Sequence, residues 1–355
     1  MHSLVLRRAR HAVPLTLFVL AACGDDPSGP RFTDELAVSA SVMRERAAQI
    51  QEVSQQAPLR ALMSGFFGFP MTSAAVGVPR LSRVAGMPPM RGALDAAPRR
   101  QATMPLLPVN VLGRTFVRAV TGQWVVDTLA NGQPRPGAPA LGVRFMLQET
   151  DMFGGLNGPL VGMIDVTPSV GSQTALAYHA VTRTMAGTVG LDYESTSSTT
   201  SLVANGEAIG GTRRITMSER ATASSVVSTA TASFAGVTRT STYEGDASDI
   251  AGPVKSTMTL RVDDATLKVV SESSENTGSY RIYSNGALFA RMDLEEDPYL
   301  PGGGEPVWYH GDGTTALDAG EEDALFAVFE LASSLPDLLL IDITVQFWMF
   351  ELTPM

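Results

Sequence analysis

Cysteine, lysine and histidine are scarce in this 355-residue chain, and charge of one sign dominates. Cys23 is the single cysteine, so no intrachain disulfide can form. Lysine occurs only at positions 255 and 268, and no lysine or arginine follows Arg291. The formal net charge is −10, which argues against nucleic acid or an anionic membrane surface as a partner.

Catalytic and cofactor motifs are missing as well. The chain has no Gly-x-Ser-x-Gly, no His-Glu-x-x-His, no phosphate-binding loop and no cysteine pair. After the first 22 residues its only histidines are His179 and His310. His179 lies in a predicted strand, where a surface residue is expected. The sequence predicts no cofactor and favours a non-catalytic protein.

The N-terminus carries the most specific motif of the chain. Arg7, Arg8 and Arg10 precede an apolar stretch at 12–22 that is too short to span a bilayer, and Leu20-Ala21-Ala22-Cys23 follows. This pattern resembles the lipobox of bacterial lipoproteins. The resemblance implies cleavage before Cys23, a lipid on its sulfur and attachment to a membrane through that lipid.

The same resemblance gives an expected location. An Asp directly after the lipidated cysteine resembles an inner-membrane retention signal, and this chain has Gly24 at that position. The outer membrane is therefore expected, with the protein facing the periplasm or the cell surface. Residues 1–22 are then the signal peptide and 23–31 a flexible tether rich in Pro and Gly.

A helical segment is predicted for residues 32–69. Thr33 or Asp34 is the expected N-cap of a helix that runs to about Gln56 and is stopped by Pro58. The apolar end of the segment, up to Phe69, is expected to pack on the rest of the protein as part of the core, with contact to a membrane surface as the other interpretation.

Residues 70–110 contain seven prolines and no periodic apolar pattern. This composition predicts a linker or a loop draped over the surface.

Residues 111–355 are predicted to form a β domain. A hairpin at 114–120 and 124–129 precedes a ladder of strands that alternate apolar and polar residues. The turns are short and no helical pattern intervenes, which predicts an antiparallel meander. The predicted strands are 142–149, 159–167, 174–185, 187–195, 199–206, 212–220, 224–234, 237–245, 255–263, 265–273, 278–284 and 286–294, with turns that include Asn205-Gly206, Gly210-Gly211, Asp263-Asp264 and Asn285-Gly286.

One part of the ladder is unusually polar. Residues 195–242 hold 21 Ser or Thr among 48 residues, a composition that is compatible with disorder. Threonine favours strands, however, and apolar residues still punctuate the run, so strands with a wet outer face are favoured.

The C-terminal unit is predicted to be a helix followed by a strand. Asp318 and Glu321 form a capping box for a helix at 320–335, which Pro336 ends. Residues 338–352 then alternate apolar and polar side chains, which predicts a strand with Asp342 on its wetter face. The alternative is a helix at 338–352, in which Asp342 would lie among apolar residues.

The fold class is therefore mainly β: a large antiparallel meander, as a curved sheet or half-barrel, with an N-terminal helical segment and a C-terminal helix plus final strand. In general plan this is similar to the lipoprotein carriers and receptors of the LolA and LolB type, which implies a half-open barrel with a helical lid and transfers no residues.

Two regions hold candidate site residues. A loop that could line a cleft contains Trp308, Tyr309, His310 and Asp312. No metal site is predicted, but acidic residues near this loop are weak calcium candidates, with a solvated acidic face as the other interpretation: Asp293, Glu295, Asp297 and Asp312.

Two functional hypotheses follow. The first is a membrane-anchored envelope lipoprotein that is not catalytic and that binds a hydrophobic ligand or an envelope protein, or acts structurally. The alternative is an envelope hydrolase with a site in the 299–323 loop.

Overall fold

The computed structural model describes residues 31–67, 107–119, 122–149, 158–169, 176–198, 201–222, 227–244, 254–273, 278–294 and 307–352. The elements described below belong to the unit that begins at Phe32.

The main element is one curved, unclosed sheet of 15 strands, β1 to β15. From β3 onward, neighbours in the sheet are neighbours in the chain and every pair is antiparallel. The predicted meander is therefore confirmed, with shifts of a few residues at the strand ends. The strands are Arg114–Arg118, Trp124–Val126, Val143–Gln148, Leu160–Pro168, Leu176–Thr184, Val189–Ser197, Ser201–Gly210, Arg213–Thr222, Val227–Phe234, Val237–Glu244, Val254–Val262, Ala265–Ser273, Gly278–Ser284, Ala287–Leu294 and Tyr309–His310.

Two pairings differ from the prediction. Strand β1 pairs with β2 in the predicted hairpin, but it also pairs in parallel with β3, because the chain after β2 returns to the free edge of β1. At the other end, β15 is a two-residue strand within the predicted loop, and His310 lies opposite Ala290 of β14. The sheet is thus mixed at one end and one strand longer at the other.

The Ser/Thr-rich run forms strands, as favoured, within the described residues β6 to β10. Its apolar residues face inward: Ile215, Met217 and Phe234 are buried, whereas Thr216 and Ser218 are exposed. The period of two residues explains both the high hydroxyl content and the stable strands.

One predicted turn is wrong. Asn205-Gly206 lies inside β7, whereas Asn285-Gly286 is a two-residue hairpin turn with positive φ at both residues, as predicted. Gly206 faces Tyr193 of β6, and a Cβ there would lie 2.8 Å from Tyr193 Cα and closer still to its Cβ. Glycine is required at position 206 because strands β6 and β7 approach each other closely there, and not because the chain turns.

Besides a short 3-10 helix at Val109–Val111, four α-helices lie in the described ranges, and they pack on the same face of the sheet or on one another. Helices α1 and α3 pack together, and α2 packs against α4 and strands β3 to β6. Their bounds are Ala40–Ser54 for α1, Ala57–Phe67 for α2, Ala319–Ser334 for α3 and Leu338–Glu351 for α4.

The predicted helical segment 32–69 is thus two helices, described up to Phe67, and the predicted N-cap is wrong. Ser39 caps α1 by accepting a hydrogen bond from the Val42 amide. Thr33 instead donates its backbone N–H to Leu288 O of β14. The segment before the helix is therefore held at the edge of the sheet. Pro58 lies in the first turn of α2, where proline is tolerated.

Helix α3 confirms the predicted capping box. The Asp318 carboxylate accepts the amide N–H groups of Gly320 and Glu321, and the Glu321 carboxylate accepts the N–H of Asp318 at 2.7 Å. The two acidic side chains also suit the positive end of the helix dipole.

The predicted final strand is wrong, because residues 338–351 form helix α4. This helix buries Ile341, Asp342, Val345, Trp348 and Met349, which recur with helical spacing. Asp342, predicted to face water, is fully buried, and so is Trp348. The segment lies against the face of the sheet and not at its edge, so its backbone has no strand to pair with and must satisfy its hydrogen bonds internally.

Arg239 of β10 fixes the junction between the last two helices. Its buried guanidinium donates hydrogen bonds to the carbonyl oxygens of Ala332, Leu335 and Pro336 at 2.8, 3.0 and 3.1 Å. These acceptors lie at the C-terminal end of α3, where a cation also complements the helix dipole. One side chain of the sheet thereby holds the junction between α3 and α4 in place.

Candidate functional site

The structure spreads the predicted cleft residues over different environments. Trp308 points inward and contacts Tyr280 and Phe329. Tyr309 and His310 are half-buried in strand β15. Asp312 is exposed at the turn that follows. The four residues are adjacent in sequence, but their side chains do not converge on one cleft.

The His310 ring lies between two carboxylates. Its Nε2 is 3.2 Å from Glu321 Oε2 at the start of α3, and its Nδ1 is 3.6 Å from Asp34 Oδ1. The imidazole therefore connects β15, α3 and the segment that follows the predicted tether. Among the described residues, the side chains that pair with His310 are these two carboxylates.

Asp312 organises its own turn. Its carboxylate accepts the amide N–H groups of Thr314 and Thr315 at 2.8 and 3.0 Å and the Thr315 hydroxyl at 2.7 Å. These donors hold the pKa of Asp312 well below its usual range. The local role of the side chain is that of a turn residue.

The calcium candidates are not brought together where they are described. Asp293 pairs with Arg281 and Arg291 at 2.7 and 2.5 Å, whereas Asp312 is used by its turn. Glu295 and Asp297 lie outside the described residues. No group of three or more His, Cys, Asp or Glu side chains is arranged to bind a metal ion in the ranges that the structure covers.

A buried polar cluster, which we call the Asp342 cluster, lies between α4 and the sheet. The carboxylate of Asp342 accepts hydrogen bonds from the hydroxyl of Tyr178, from Ser195 Oγ at 3.0 Å and from Gln346 Nε2 at 2.7 Å. The ring of Tyr193 lies edge-on to that of Tyr178, and their hydroxyl oxygens are 3.5 Å apart. Strands β5 and β6 thus hold a carboxylate within an otherwise apolar layer.

Burial controls the electrostatics of this cluster. It raises the pKa of Asp342 to about 6, although the surrounding hydrogen bonds lower it. Burial, followed by the nearby Asp342 charge, also raises the pKa of Tyr178 and of Tyr193 well above the usual range. The carboxyl group therefore titrates near pH 6, whereas the tyrosines stay protonated and remain donors.

A second cluster lies where the β1–β3 end of the sheet meets α4. We define the tryptophan–arginine cluster as Arg118, Trp124, Phe145 and Trp348. The Trp124 ring centroid is 4.8 Å from that of Phe145 and 5.0 Å from that of Trp348, both edge-on, and the guanidinium of Arg118 lies 5.3 Å from the Trp124 ring. Aromatic edges and a cation over a ring stabilise such a group.

Polar atoms in this second cluster are unpaired. Arg118 Nε, Trp124 Nε1 and Trp348 Nε1 are buried and have no hydrogen-bond acceptor within the described part of the chain. Burial lowers the pKa of Arg118, and the charge of Glu351 offsets part of this effect. Burial likewise raises the pKa of Glu351. The cluster thus combines a cation in an apolar setting with N–H donors that have no acceptor among the described residues.

Sequence reasoning did not identify either cluster. Tyr178, Ser195 and Asp342 are far apart in the chain and carry no motif, and the alternation of residues 338–352 predicts a wet face for Asp342. A helical wheel of 338–351 would have put Asp342 and Trp348 among buried residues, which was the signal available.

Two further observations concern membrane-spanning helices and similarity to known proteins. No helix in the described ranges is long and apolar enough to cross a bilayer, and Cys23 lies outside those ranges. No protein-family model, curated protein or solved structure matches this chain.

Proposed function

We propose that this protein is a bacterial envelope lipoprotein, anchored through Cys23, that binds a hydrophobic ligand and has no catalytic activity. The observation that carries the binding function is the one-sided sheet. Its apolar face is covered by helices, one of which, α4, is apolar around most of its circumference.

The anchor rests on the N-terminal motif that ends at Cys23. Phe32 bridges to Leu288 and Thr33 donates to Leu288 O, so the chain leaves the sheet at strand β14.

The alternative, a hydrolase site in the 299–323 loop, has weaker support. Residues 299–306 lie outside the described ranges. Among the described residues, the side-chain partners of His310 are the carboxylates of Asp34 and Glu321. A carboxylate–histidine pair needs a nucleophile or an activated water as its third member.

Two measurements test the proposal. Cys23→Ser should release the protein from membranes, and a variant that still pellets after a high-salt wash would contradict the lipid anchor. Native mass spectrometry of that released form, purified from its own host, should show a retained hydrophobic molecule. A mass equal to that of the bare chain under mild conditions would contradict ligand binding.

A further inference from the structure

The tryptophan–arginine cluster buries three N–H donors in one group of contacting side chains, and none of them has an acceptor within the described residues. Buried donors without acceptors are costly and rare in native proteins. A single orphan can be attributed to local packing. Three orphans around Trp124 indicate an acceptor that does not belong to the described chain.

The charge of the cluster indicates what kind of acceptor it is. The guanidinium of Arg118 is partly desolvated, and Glu351, the carboxylate that acts on it electrostatically, is not among the ion pairs of the described residues. A buried cation is stabilised by an anion that contacts it directly and accepts hydrogen bonds from it. An anionic oxygen satisfies the charge and the donors together.

The surroundings indicate what carries the oxygen. Phe145 and Trp348 belong to the continuous apolar core, which runs along the sheet under the helices through residues such as Ile164 and Leu191. A head group bound at this cluster therefore lies directly beside apolar side chains of the core. An acyl chain attached to that head group would follow the apolar face of the sheet.

We propose that Arg118, Trp124 and Trp348 bind the carboxylate or phosphate head group of an amphiphile whose acyl chain lies between the sheet and its helices. This inference rests on the ligand-binding function proposed above and names the class of ligand. The two indole N–H groups and Arg118 Nε donate to the oxygens of the head group, and Phe145 closes the site on its apolar side.

Tryptophan fluorescence can locate the head group, because two of the three tryptophans belong to the cluster. The test uses the full chain with Cys23→Ser and Trp308→Phe, which leaves only Trp124 and Trp348 as fluorophores. Dodecanoate brominated beside its carboxylate should quench this emission saturably, and more strongly than dodecanoate brominated at the end of its chain. The reverse order would overturn the proposal, because the head group would then lie elsewhere.

The affinity of unmodified dodecanoate tests the contribution of the cation. Arg118→Met removes the charge and the donor but keeps an extended apolar side chain. We expect binding to weaken by about tenfold or more, the factor that corresponds to one lost charge-assisted hydrogen bond. The control is Arg261→Met, which removes an exposed arginine from β11, and it should bind as the parent does. Equal binding by both variants, or dodecanol bound as tightly as dodecanoate, would overturn the proposal. Melting temperatures verify that both variants are folded. The comparison of the two brominated dodecanoates does not depend on these variants, because it uses a protein in which the cluster is intact.

Competition experiments distinguish a fatty acid, a phospholipid and free phosphate as the ligand. Lysophosphatidylglycerol and dodecanoate should compete with each other, whereas inorganic phosphate alone should not displace either one. Displacement by phosphate at equal affinity would show a site for free ions only and would contradict an amphiphile site. If native mass spectrometry shows a retained hydrophobic molecule that Arg118→Met retains at the same occupancy as the parent, the head-group site is wrong while the binding function stands.

Discussion

Tyr178 of strand β5 donates its hydroxyl hydrogen to the carboxylate of Asp342 in the middle of helix α4. Both side chains are fully buried. Residues 164 positions apart in the chain thus fix the helix on the sheet at one point. Apolar packing alone would allow α4 to slide or rotate, whereas this bond and the one from Ser195 specify its register.

The stability of the protein should depend on pH through Asp342. Its pKa is about 6 in the folded protein against an ordinary value of 3.8, so the folded state favours the protonated form. The stabilisation is fully present below the unfolded pKa of 3.8 and is lost as the pH rises through about 6. The difference in pKa corresponds to about 3 kcal/mol.

The change Asp342→Asn removes this titration and keeps the shape of the side chain. Its free energy of unfolding should equal that of the parent near pH 4 and exceed it by about 3 kcal/mol near pH 8. The quantity to measure is the difference between the two proteins by urea denaturation, since the other carboxylates then cancel. A difference that does not change between these pH values would show that Asp342 does not titrate as described.

Gly206→Ala should destabilise the protein. The added methyl would collide with Tyr193 and with the carbonyl oxygen of Asp192, which are parts of the neighbouring strand and cannot move independently. We expect a loss of about 1–3 kcal/mol, as for other overpacked cores.

The control for this change is Gly190→Ala in β6, where the methyl would meet two side-chain oxygens at 3.3 Å. A smaller loss is expected there, because the side chains of Gln56 and Thr182 can adjust. Equal stability of Gly206→Ala and the parent would mean that β6 and β7 are not packed as closely as they are here.

Arg239→Met should loosen the junction of α3 and α4. Three carbonyl oxygens lose a buried charged donor, and the expected loss is about 2–4 kcal/mol. Thermal and chemical denaturation measure it, with the exposed Arg261→Met as the matched change, expected within about 0.5 kcal/mol of the parent. Identical losses for the two variants would contradict the capping role.

Trp348→Ala distinguishes the helix at 338–351 from a strand. In the helix this indole is buried, and its truncation should cost about 3–5 kcal/mol. A strand would place it on the wetter face with Asp342. The matched change is Phe326→Ala on α3, where the ring is 47% exposed and the loss should be small. Similar stabilities of the two variants would favour the strand.

The ladder was predictable because its information is local. Alternation in runs such as Val254–Val262 determines which side chains face inward, and short turns such as Asn285-Gly286 leave only antiparallel neighbours to pair. The capping box of Asp318 and Glu321 is local for the same reason. The lipobox at Cys23 is also read from a short stretch and stays a prediction.

The tertiary structure decided what the local pattern left open. Residues 338–351 alternate like a strand, yet they form a helix, because the face of a sheet offers no backbone partners. The same placement buried Asp342 and Trp348 and so created both clusters. Gly206 reads as a turn but serves the packing of Tyr193, which only the neighbouring strand reveals. The sequence by itself determined the strands, their faces and the N-terminal motif. Which buried polar groups meet depended on contacts between distant residues, which a two-residue or 3.6-residue period does not encode.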